Sequence, residues 1–455
     1  MGLRKILAFA GLSVILIVLL AYVLAGTPMK KTIEVDFSKV DGRFKPLHRG
    51  VNDGPLYTEQ KLALYDLSDY YRELQVRWVR LHDQWGAVDV DYVFPDMSAD
   101  PSDPESYDFR LTDRCIVAIH SIGAEVIYRL GYRWHEPPLN KPPEDYDKWA
   151  DVCLHIAMHY NEGWADGYRF NITYWEIWNE PDIERFWNGT LEDYWRLYDT
   201  VARKIKERYP WAKVGGPTIA WNLEFLRGFL KLCREHDSPI DFVSWHVYSK
   251  NPYDIYEKAE AVKRVMNEEG FGHLPSFLTE WNIWKDDRDP YDIFRNEVGA
   301  SFQASALIYL QNSSVDVATL YRGDAWDWGG LFVKDLWKPG KPFYVHKAFN
   351  MLMGTPLKAW CKGFDKKGFT VVAGISEKGD KAMVIISNYG EKAVECQLKL
   401  KGLKWRGISY VLRAVDSKHS LEIVDKGILE TAENGQELVL NLPPYSVYVV
   451  TLSEA

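Results

Sequence analysis

Cysteine is scarce in this sequence. The 455 residues include only five, and no two of them are spaced as a Cys-x-x-Cys pair. This spacing excludes a zinc ribbon and gives no sign of a disulfide framework. A chain of this length buries enough apolar surface to be stable without either kind of cross-link.

Positive charge is also in deficit. Lys and Arg number 55 against 64 Asp and Glu, which gives a net charge of −9, and the sequence has no long basic block. This balance makes the chain a poor candidate for binding nucleic acid, which requires a basic surface. Aromatic residues, in contrast, are abundant, with 19 Trp and 27 Tyr. Such rings pack in a core and also stack on sugar faces, so composition alone leaves both interpretations open.

An apolar run near the N-terminus, residues 6–26, contains no charged residue. At ~1.5 Å per residue, a helix of this length spans a hydrocarbon core of ~30 Å. Secretory signals normally have apolar stretches of only about 7–15 residues, so the run favours an uncleaved signal anchor. We expect residues 1–30 to be this anchor and a short linker, with the rest of the chain outside the cytoplasm. Cleavage after Ala25 would instead give a secreted protein.

Short apolar segments alternate with amphipathic ones across residues 45–352. Leu191–Arg208 is typical of the amphipathic segments, because its apolar residues recur at helical spacing and Pro210 follows it. Another predicted helix covers Gln60–Leu74. Eight strands alternating with helices predict an α/β fold, a (β/α)8 TIM barrel. A doubly wound sheet is the competing fold, but no Gly-x-Gly-x-x-Gly follows the first strand.

The pattern changes in residues 353–455, where short β-rich runs are separated by Gly, Asp, Asn and Lys. These runs predict a small antiparallel β-sandwich at the C-terminus. Residues 31–44 precede the barrel, and their apolar residues alternate at Ile33, Val35 and Phe37. This N-terminal strand is expected to join the sandwich.

Two predicted barrel strands end in a carboxylate. The fourth strand leads into the sequence WNEP, which contains Glu180, and the seventh into TEWN, which contains Glu280. Barrel active sites lie at the carboxyl ends of the strands, so these two side chains should face one another. Glycoside hydrolysis needs such a pair, one to protonate the leaving oxygen and one to attack the anomeric carbon. Glu176, on the same strand, is better explained as an ion-paired core residue than as a second catalyst.

The segment TYWEIWNEPDIERFW resembles the acid/base region of the clan A glycoside hydrolases. Within that clan the chain is most similar to family 39, the β-xylosidase and α-L-iduronidase family. Further matches are RGVN on the first strand, VRLH on the second, DFVSWHVY on the sixth and LTEWN on the seventh. The resemblance covers roughly residues 33–352, includes a sandwich after the barrel, and implies an enzyme with no metal and no organic cofactor.

The resemblance also implies roles for particular side chains. Glu180 would be the general acid/base and Glu280 the nucleophile. Asn179 would hydrogen-bond the 2-hydroxyl group of the sugar. Three further side chains would line the sugar site: His82, His246 and Tyr248.

Two arginines depart from the family pattern. Arg129 ends the third strand, where an acidic residue is expected, and Arg322 ends the eighth. Arg322 could bind a uronate carboxylate as a bidentate partner, or it could pair with Asp324 or Asp327 and hold its own loop. Trp326, in the same loop, is the candidate platform for sugar stacking.

The sequence therefore predicts a retaining exo-glycosidase that cleaves terminal β-xylosides or related β-glycosides. A uronide-cleaving, α-L-iduronidase-like hydrolase is the main alternative, followed by other clan A activities such as arabinofuranosidase or endoglucanase. A membrane-displayed sugar-binding protein is the alternative outside the enzymes, although it has no need for both carboxylates. The expected partners are a glycoside substrate and, through residues 6–26, a membrane.

Overall fold

The computed structural model describes residues 28–58, 64–82, 84–135, 138–325, 328–333, 337–429 and 435–455. The apolar run at residues 6–26 lies outside these ranges, so the anchor and the location of the protein stay predictions. Within the described ranges, no helix is both long and apolar enough to cross a membrane.

A closed barrel of parallel strands forms the larger part of the fold. From the start of the described chain to the end of the barrel region, the strands are β1 (Met29–Arg43), β2 (Gly50–Asn52), β3 (Leu56–Thr58), β4 (Leu64–Asp66), β5 (Trp78–Leu81), β6 (Glu125–Leu130), β7 (Tyr174–Ile177), β8 (Lys213–Ile219), β9 (Phe242–Ser249), β10 (Ser276–Ile283), β11 (Val317–Leu320), β12 (Phe332–Val333) and β13 (Lys338–Pro339). Eight of them form the barrel in the order β2, β5, β6, β7, β8, β9, β10, β11. The ring closes where Leu320 pairs with Val51. The predicted TIM barrel is confirmed.

Helices lie between the barrel strands. They are α1 (Ser68–Glu73), α2 (Val90–Val93), α3 (Arg110–Ser121), α4 (Tyr146–Asn161), α5 (Leu191–Arg208), α6 (Leu223–Glu235), α7 (Pro252–Glu268), α8 (Glu297–Leu310) and α9 (Lys341–Leu352). Helix α5 has the bounds that its periodicity predicts. Thr190 and Asp193 form a capping box at its start, and this reciprocal pair satisfies two backbone N–H groups.

The predicted helix over Gln60–Leu74 is correct from Ser68 to Glu73 and wrong over residues 64–67, while residues 60–63 lie outside the described residues. Leu64–Asp66 instead forms strand β4, which pairs antiparallel with β3, and the helix begins only at Ser68. The carboxylate of Asp66 accepts a hydrogen bond from the backbone N–H of Ser68 at 2.9 Å. Aspartate makes such local bonds readily, and they stabilise a turn in place of a continuous helix.

A second sheet of nine strands follows the barrel. Its further strands are β14 (Leu357–Lys362), β15 (Phe369–Ile375), β16 (Lys381–Asn388), β17 (Val394–Lys401), β18 (Ile408–Val415), β19 (Ser420–Leu429), β20 (Gln436–Leu442) and β21 (Ser446–Glu454). The order is β19, β18, β21, β16, β15, β14, β1, β17, β20. Apolar side chains from strands across the whole sheet share one core, and the edge strands β19 and β20 contact each other. The sheet therefore curls on itself as a sandwich.

The sandwich differs from the prediction in one respect, because it is not wholly antiparallel. Strand β1 lies inside the sheet, antiparallel to β14 but parallel to β17. Ile33, Val35 and Phe37 point into the sheet core and are almost fully buried. Strands that are joined by a tight hairpin must run antiparallel. Strand β1 comes from the opposite end of the chain and is joined to neither neighbour by a hairpin, so it can pair with one of them in parallel.

Helix α8 joins the barrel to the sheet. All of its residues from Gly299 to Leu310 are buried, since one side packs on the barrel and the other on the sheet. The hydroxyl of Ser305 donates to the carbonyl of Gly368 at 2.8 Å, and Ser387 donates to the carbonyl of Ser301 at 3.0 Å. These bonds fasten the two parts to each other across a buried surface that includes small residues.

Removal of residues 1–26 should leave the thermal unfolding of the described fold unchanged, because β1 begins at Met29. Removal of residues 1–43 also takes out β1 with Ile33, Val35 and Phe37. We expect that second truncation to lose about 5 kcal/mol or more of folding free energy, since each of these side chains contributes about 1.5–3 kcal/mol by burial. Calorimetric unfolding of both truncations checks this. Equal melting temperatures for the two truncations would contradict it.

Candidate active site

Glu180 and Glu280 lie at the carboxyl end of the barrel, on opposite sides of its opening. Glu180 follows β7, and Glu280 lies within β10. The two residues are only 7% and 5% exposed. Glu180 has a positive φ of 47°, and its backbone N–H donates to the carbonyl of Thr218 at 3.2 Å. A non-glycine residue in this conformation is unusual and marks a position that the surrounding structure holds in place.

The two carboxylates lie close together. Three atoms lie within 4.8 Å of one another: one carboxylate oxygen of Glu180, one of Glu280 and one ring nitrogen of His246. Nδ1 of His246 lies 2.7 Å from Oε1 of Glu180 and 3.7 Å from Oε2 of Glu280. A separation of about 5 Å between carboxyl groups is typical of retaining glycosidases, whereas inverting ones need about 6.5–9.5 Å.

Arg80 on β5 lies beneath both carboxylates, with no exposed side-chain surface. Its Nε donates to Glu176 at 2.5 Å, and one terminal nitrogen donates to Glu280 at 2.6 Å. The other terminal nitrogen donates to Oδ1 of Asn179 at 2.8 Å. Glu176 is therefore the ion-paired core residue that the sequence predicts.

Arg80 is the site residue that the sequence reasoning missed, although VRLH was noted as a matching segment. The available signal was a charged side chain in a strand whose neighbours Val79 and Leu81 are apolar. Such a side chain must find partners inside the fold, because an unpaired buried charge is very costly.

The two carboxylates have different electrostatic environments. Burial, the charge of Glu280 and that of Asp182 raise the pKa of Glu180 well above its usual value, while Arg80 opposes the rise. Burial also raises the pKa of Glu280 above its usual value, but Arg80 and the Tyr248 hydroxyl stabilise its ionised form and limit the rise. The hydroxyl of Tyr248 donates to Oε2 of Glu280 at 2.5 Å. Of the two carboxyl groups, Glu180 therefore holds its proton more strongly than Glu280 does.

The two candidate histidines are neutral. Burial, with the charge of Arg80, holds the pKa of His246 well below its usual range. Burial also lowers the pKa of His82, and Arg129, Arg80 and Arg322 lower it further by charge repulsion. Nδ1 of His82 lies 3.8 Å from Oε1 of Glu280 and has no hydrogen-bond partner among the described residues. This buried polar atom is available to a sugar hydroxyl.

The amide oxygen of Asn179 is hydrogen-bonded, whereas its amide nitrogen points elsewhere. Its Oδ1 accepts the bond from Arg80, which turns the amide nitrogen away from the guanidinium. The residue directly precedes Glu180 and is 6% exposed. Its amide nitrogen is therefore placed to donate to a group bound beside the acid.

Arg322 and Arg129 are both held by carboxylates. Arg322 contacts Asp324 at 2.9 Å, as one interpretation predicts, and Asp53 at 2.8 Å. Arg129 pairs with Asp89 and donates to the carbonyl of His82. Both arginines therefore brace the loops around the site.

Trp326 and Asp327 lie outside the described residues. Trp328, two residues later than Trp326, stacks edge-on against Tyr248 with ring centroids 4.8 Å apart. An aromatic ring from this loop thus contacts the tyrosine that holds Glu280.

The group of Glu180, His246 and Glu280 also has the spacing of metal ligands. The guanidinium of Arg80, however, donates directly to Glu280. A fixed positive charge at that distance opposes a second cation on the same carboxylate. The arrangement suits proton transfer and nucleophilic attack better than metal binding.

Part of the chain is similar in sequence to known proteins. Residues 131–318 match the model of Glycosyl hydrolases family 39. The chain is 32% identical over 163 residues to a beta-xylosidase of Geobacillus stearothermophilus, covering 31% of this chain and 32% of that one. It is 34% identical over 168 residues to a beta-xylosidase of Caldicellulosiruptor saccharolyticus, covering 33% of each. The chain thus spans about a third of the length of these relatives.

A solved structure covers much more of the chain. The glucosidase from Croceicoccus marinus has a TM-score of 0.78 and 25% identity, over 94% of this chain and 100% of that one. Together with the family match, this likeness confirms the predicted resemblance to clan A and, within it, to family 39.

Replacement of Arg80 should cost much stability. Arg80→Ala leaves two buried carboxylates without their cation, and breaking such a pair costs about 3–5 kcal/mol. The double variant Arg80→Ala, Glu176→Gln should recover part of that loss, because one of the two uncompensated charges is removed. Urea unfolding of the three proteins measures these free energies. A double variant less stable than Arg80→Ala would contradict this account of the cluster.

Proposed function

We propose that this chain, a clan A glycoside hydrolase most similar to family 39, cleaves terminal β-xylosides or related β-glycosides with retention of configuration. The observation that carries the proposal is the pair Glu180 and Glu280, which lie close together while only Glu280 is bonded by Arg80 and Tyr248. A double displacement needs one protonated and one ionised carboxyl group at this spacing. The two beta-xylosidases among the relatives support the choice of sugar.

In the first step, Glu280 attacks the anomeric carbon while Glu180 protonates the departing oxygen. Nδ1 of His246 lies 2.7 Å from Oε1 of Glu180. In the tautomer that carries its hydrogen on Nδ1, the neutral ring donates to Oε1 and leaves Oε2 to carry the acidic proton. Arg80 and Tyr248 hold the oxygens of Glu280, so the nucleophile enters the reaction already oriented. Such positioning removes much of the entropic barrier to attack.

In the second step, Glu180 must act as a base toward water. The charge of Glu280 is one of the causes that raise the pKa of Glu180. That charge disappears when Glu280 becomes an ester, whereas Arg80 remains and favours ionised Glu180. The pKa of Glu180 therefore falls at the stage at which the reaction requires a base.

The other activities have less support from the described residues. The uronide interpretation relied on Arg129 and Arg322, and both are paired with aspartates. A neutral sugar other than xylose remains within the proposal, since the solved relative from Croceicoccus marinus is a glucosidase. A sugar-binding protein without activity has no use for a pair of carboxylates held in different protonation states.

A panel of aryl glycosides tests the proposal directly. We expect the β-xyloside or the β-glucoside to be cleaved with the highest kcat/KM and the α-L-iduronide not to be cleaved. Proton NMR of the first sugar released should show the β anomer. Release of the α anomer from a β-glycoside would rule out retention.

Two variants separate the roles of the carboxylates. Glu280→Ala should lose all measurable turnover and regain part of it on activated aryl glycosides when azide is added. Glu180→Ala should lose about 10²–10⁴-fold in kcat/KM on poor leaving groups, which need protonation, and much less on activated ones. Glu125→Ala, an exposed change at the opposite end of the barrel, serves as the control. Equal losses for both catalytic variants on every leaving group would contradict these roles.

The pH dependence of kcat/KM should change when the hydrogen bond from Tyr248 to Glu280 is removed. This bond lowers the pKa of Glu280, so Tyr248→Phe raises that pKa. Because Glu280 must be ionised to attack, the acid limb of the kcat/KM profile should move to higher pH by about one to two units. Tyr309→Phe removes another buried hydroxyl bond, at the junction of barrel and sheet, and should leave the limb in place. An acid limb that does not move in Tyr248→Phe would show that the tyrosine does not tune the nucleophile.

A further inference from the structure

Two exposed tryptophans lie beside each other at the opening of the barrel. Trp221 follows β8 and is 53% exposed, and Trp284 follows β10 and is 39% exposed. Their ring centroids are 6.1 Å apart. Large aromatic side chains left exposed in one patch are typical of a binding surface.

Aromatic contacts connect this pair to the nucleophile. Trp284 lies 5.8 Å from Trp328 between ring centroids, and Trp328 lies 4.8 Å from Tyr248. Tyr248 in turn bonds Glu280. A continuous row of rings therefore extends from the reacting carboxylate to the surface.

The backbone at Trp221 is tied to the loop of the general acid. The carboxylate of Asp182, two residues after Glu180, accepts bonds from the backbone N–H groups of Trp221 and Asn222, both at 2.8 Å. Glu180 protonates the oxygen of the departing group, so that group leaves on the side where this loop lies. Trp221 is thus on the leaving-group side of the site.

A small cavity beside the reacting carboxylates is lined by His82 and Asn179, the side chains placed to bind the first sugar, together with Trp134. Trp221 and Trp284 are not among its lining residues. The two exposed tryptophans are therefore separate from the site of the first sugar and can contact a further one.

We infer that Trp221 and Trp284 form a binding site for a sugar of the leaving group, so that short β-linked oligosaccharides are better substrates than simple glycosides. This inference rests on the proposed hydrolase function and extends it to the aglycone. The faces of the two indoles supply apolar stacking area, and the row of rings behind them keeps that area in a fixed position.

Turnover of two substrates with the same terminal sugar tests the inference. In Trp221→Ala and in Trp284→Ala, the ratio of kcat/KM for β-1,4-xylobiose to that for methyl β-xyloside should fall roughly three- to tenfold. Trp211→Ala is the matched control, because Trp211 is 45% exposed and precedes β8 at the other end of the barrel. Ratios equal to that of Trp211→Ala would overturn the inference.

Calorimetric titration with xylotriose and with cellotriose gives a readout that does not need turnover. Glu280→Ala protein should bind at least one of these trisaccharides more tightly than the double variants Glu280→Ala, Trp221→Ala and Glu280→Ala, Trp284→Ala. If the wild type cleaves no xyloside, the proposed sugar specificity fails, and this titration still decides the inference. Equal affinity in the single and double variants, or no binding in any of them, would overturn it.

Discussion

The buried guanidinium of Arg80 is the charge on which the site depends. It lies among three buried carboxyl groups and donates to two of them, Glu176 and Glu280. One cation offsets one carboxylate fully, and the second is stabilised further by the hydroxyl of Tyr248. A third negative charge has no such support, so Glu180 keeps its proton, as its raised pKa indicates. In the proposed mechanism, the distribution of charge around one arginine therefore distinguishes the acid from the nucleophile.

In the proposed reaction, the same arginine links the protonation state of Glu180 to the step that Glu280 has reached. While Glu280 is ionised, it offsets Arg80 and raises the pKa of Glu180. Formation of an ester at Glu280 would leave the guanidinium opposed by Glu176 alone. The surplus positive charge would then stabilise ionised Glu180. A static cluster of this kind changes its preference without any movement of the backbone, because only the charge on one oxygen atom has changed.

Patterns within single segments predict much of this molecule, and contacts between distant segments do not follow from them. The barrel follows from alternating strands and helices, and the two carboxylates follow from their positions at strand ends. Arg80 could not be assigned, because its partners lie 96 and 200 residues further along the chain. The parallel pairing of β1 with β17 was missed for the same reason, since no local signal fixes which strand becomes the neighbour of a terminal one. The predicted helix over Gln60–Leu74 failed locally, where an aspartate turn competed with apolar periodicity.

The arginines around the sugar site also bear on the charge of the sugar. Burial, together with the charges of Arg129, Arg80 and Arg322, holds the pKa of His82 well below its usual range and keeps its ring neutral. Their own charges are more than matched by five contacting carboxyl groups: Asp53, Asp89, Asp324, Glu176 and Glu280. A uronate would bring one more negative group to a site where each guanidinium already has a carboxylate partner. Neutral sugar hydroxyls, in contrast, can bond the neutral ring of His82 and the amide of Asn179 at no such cost. Under the proposed function, the arrangement therefore favours a neutral glycone, even though three cations surround the site.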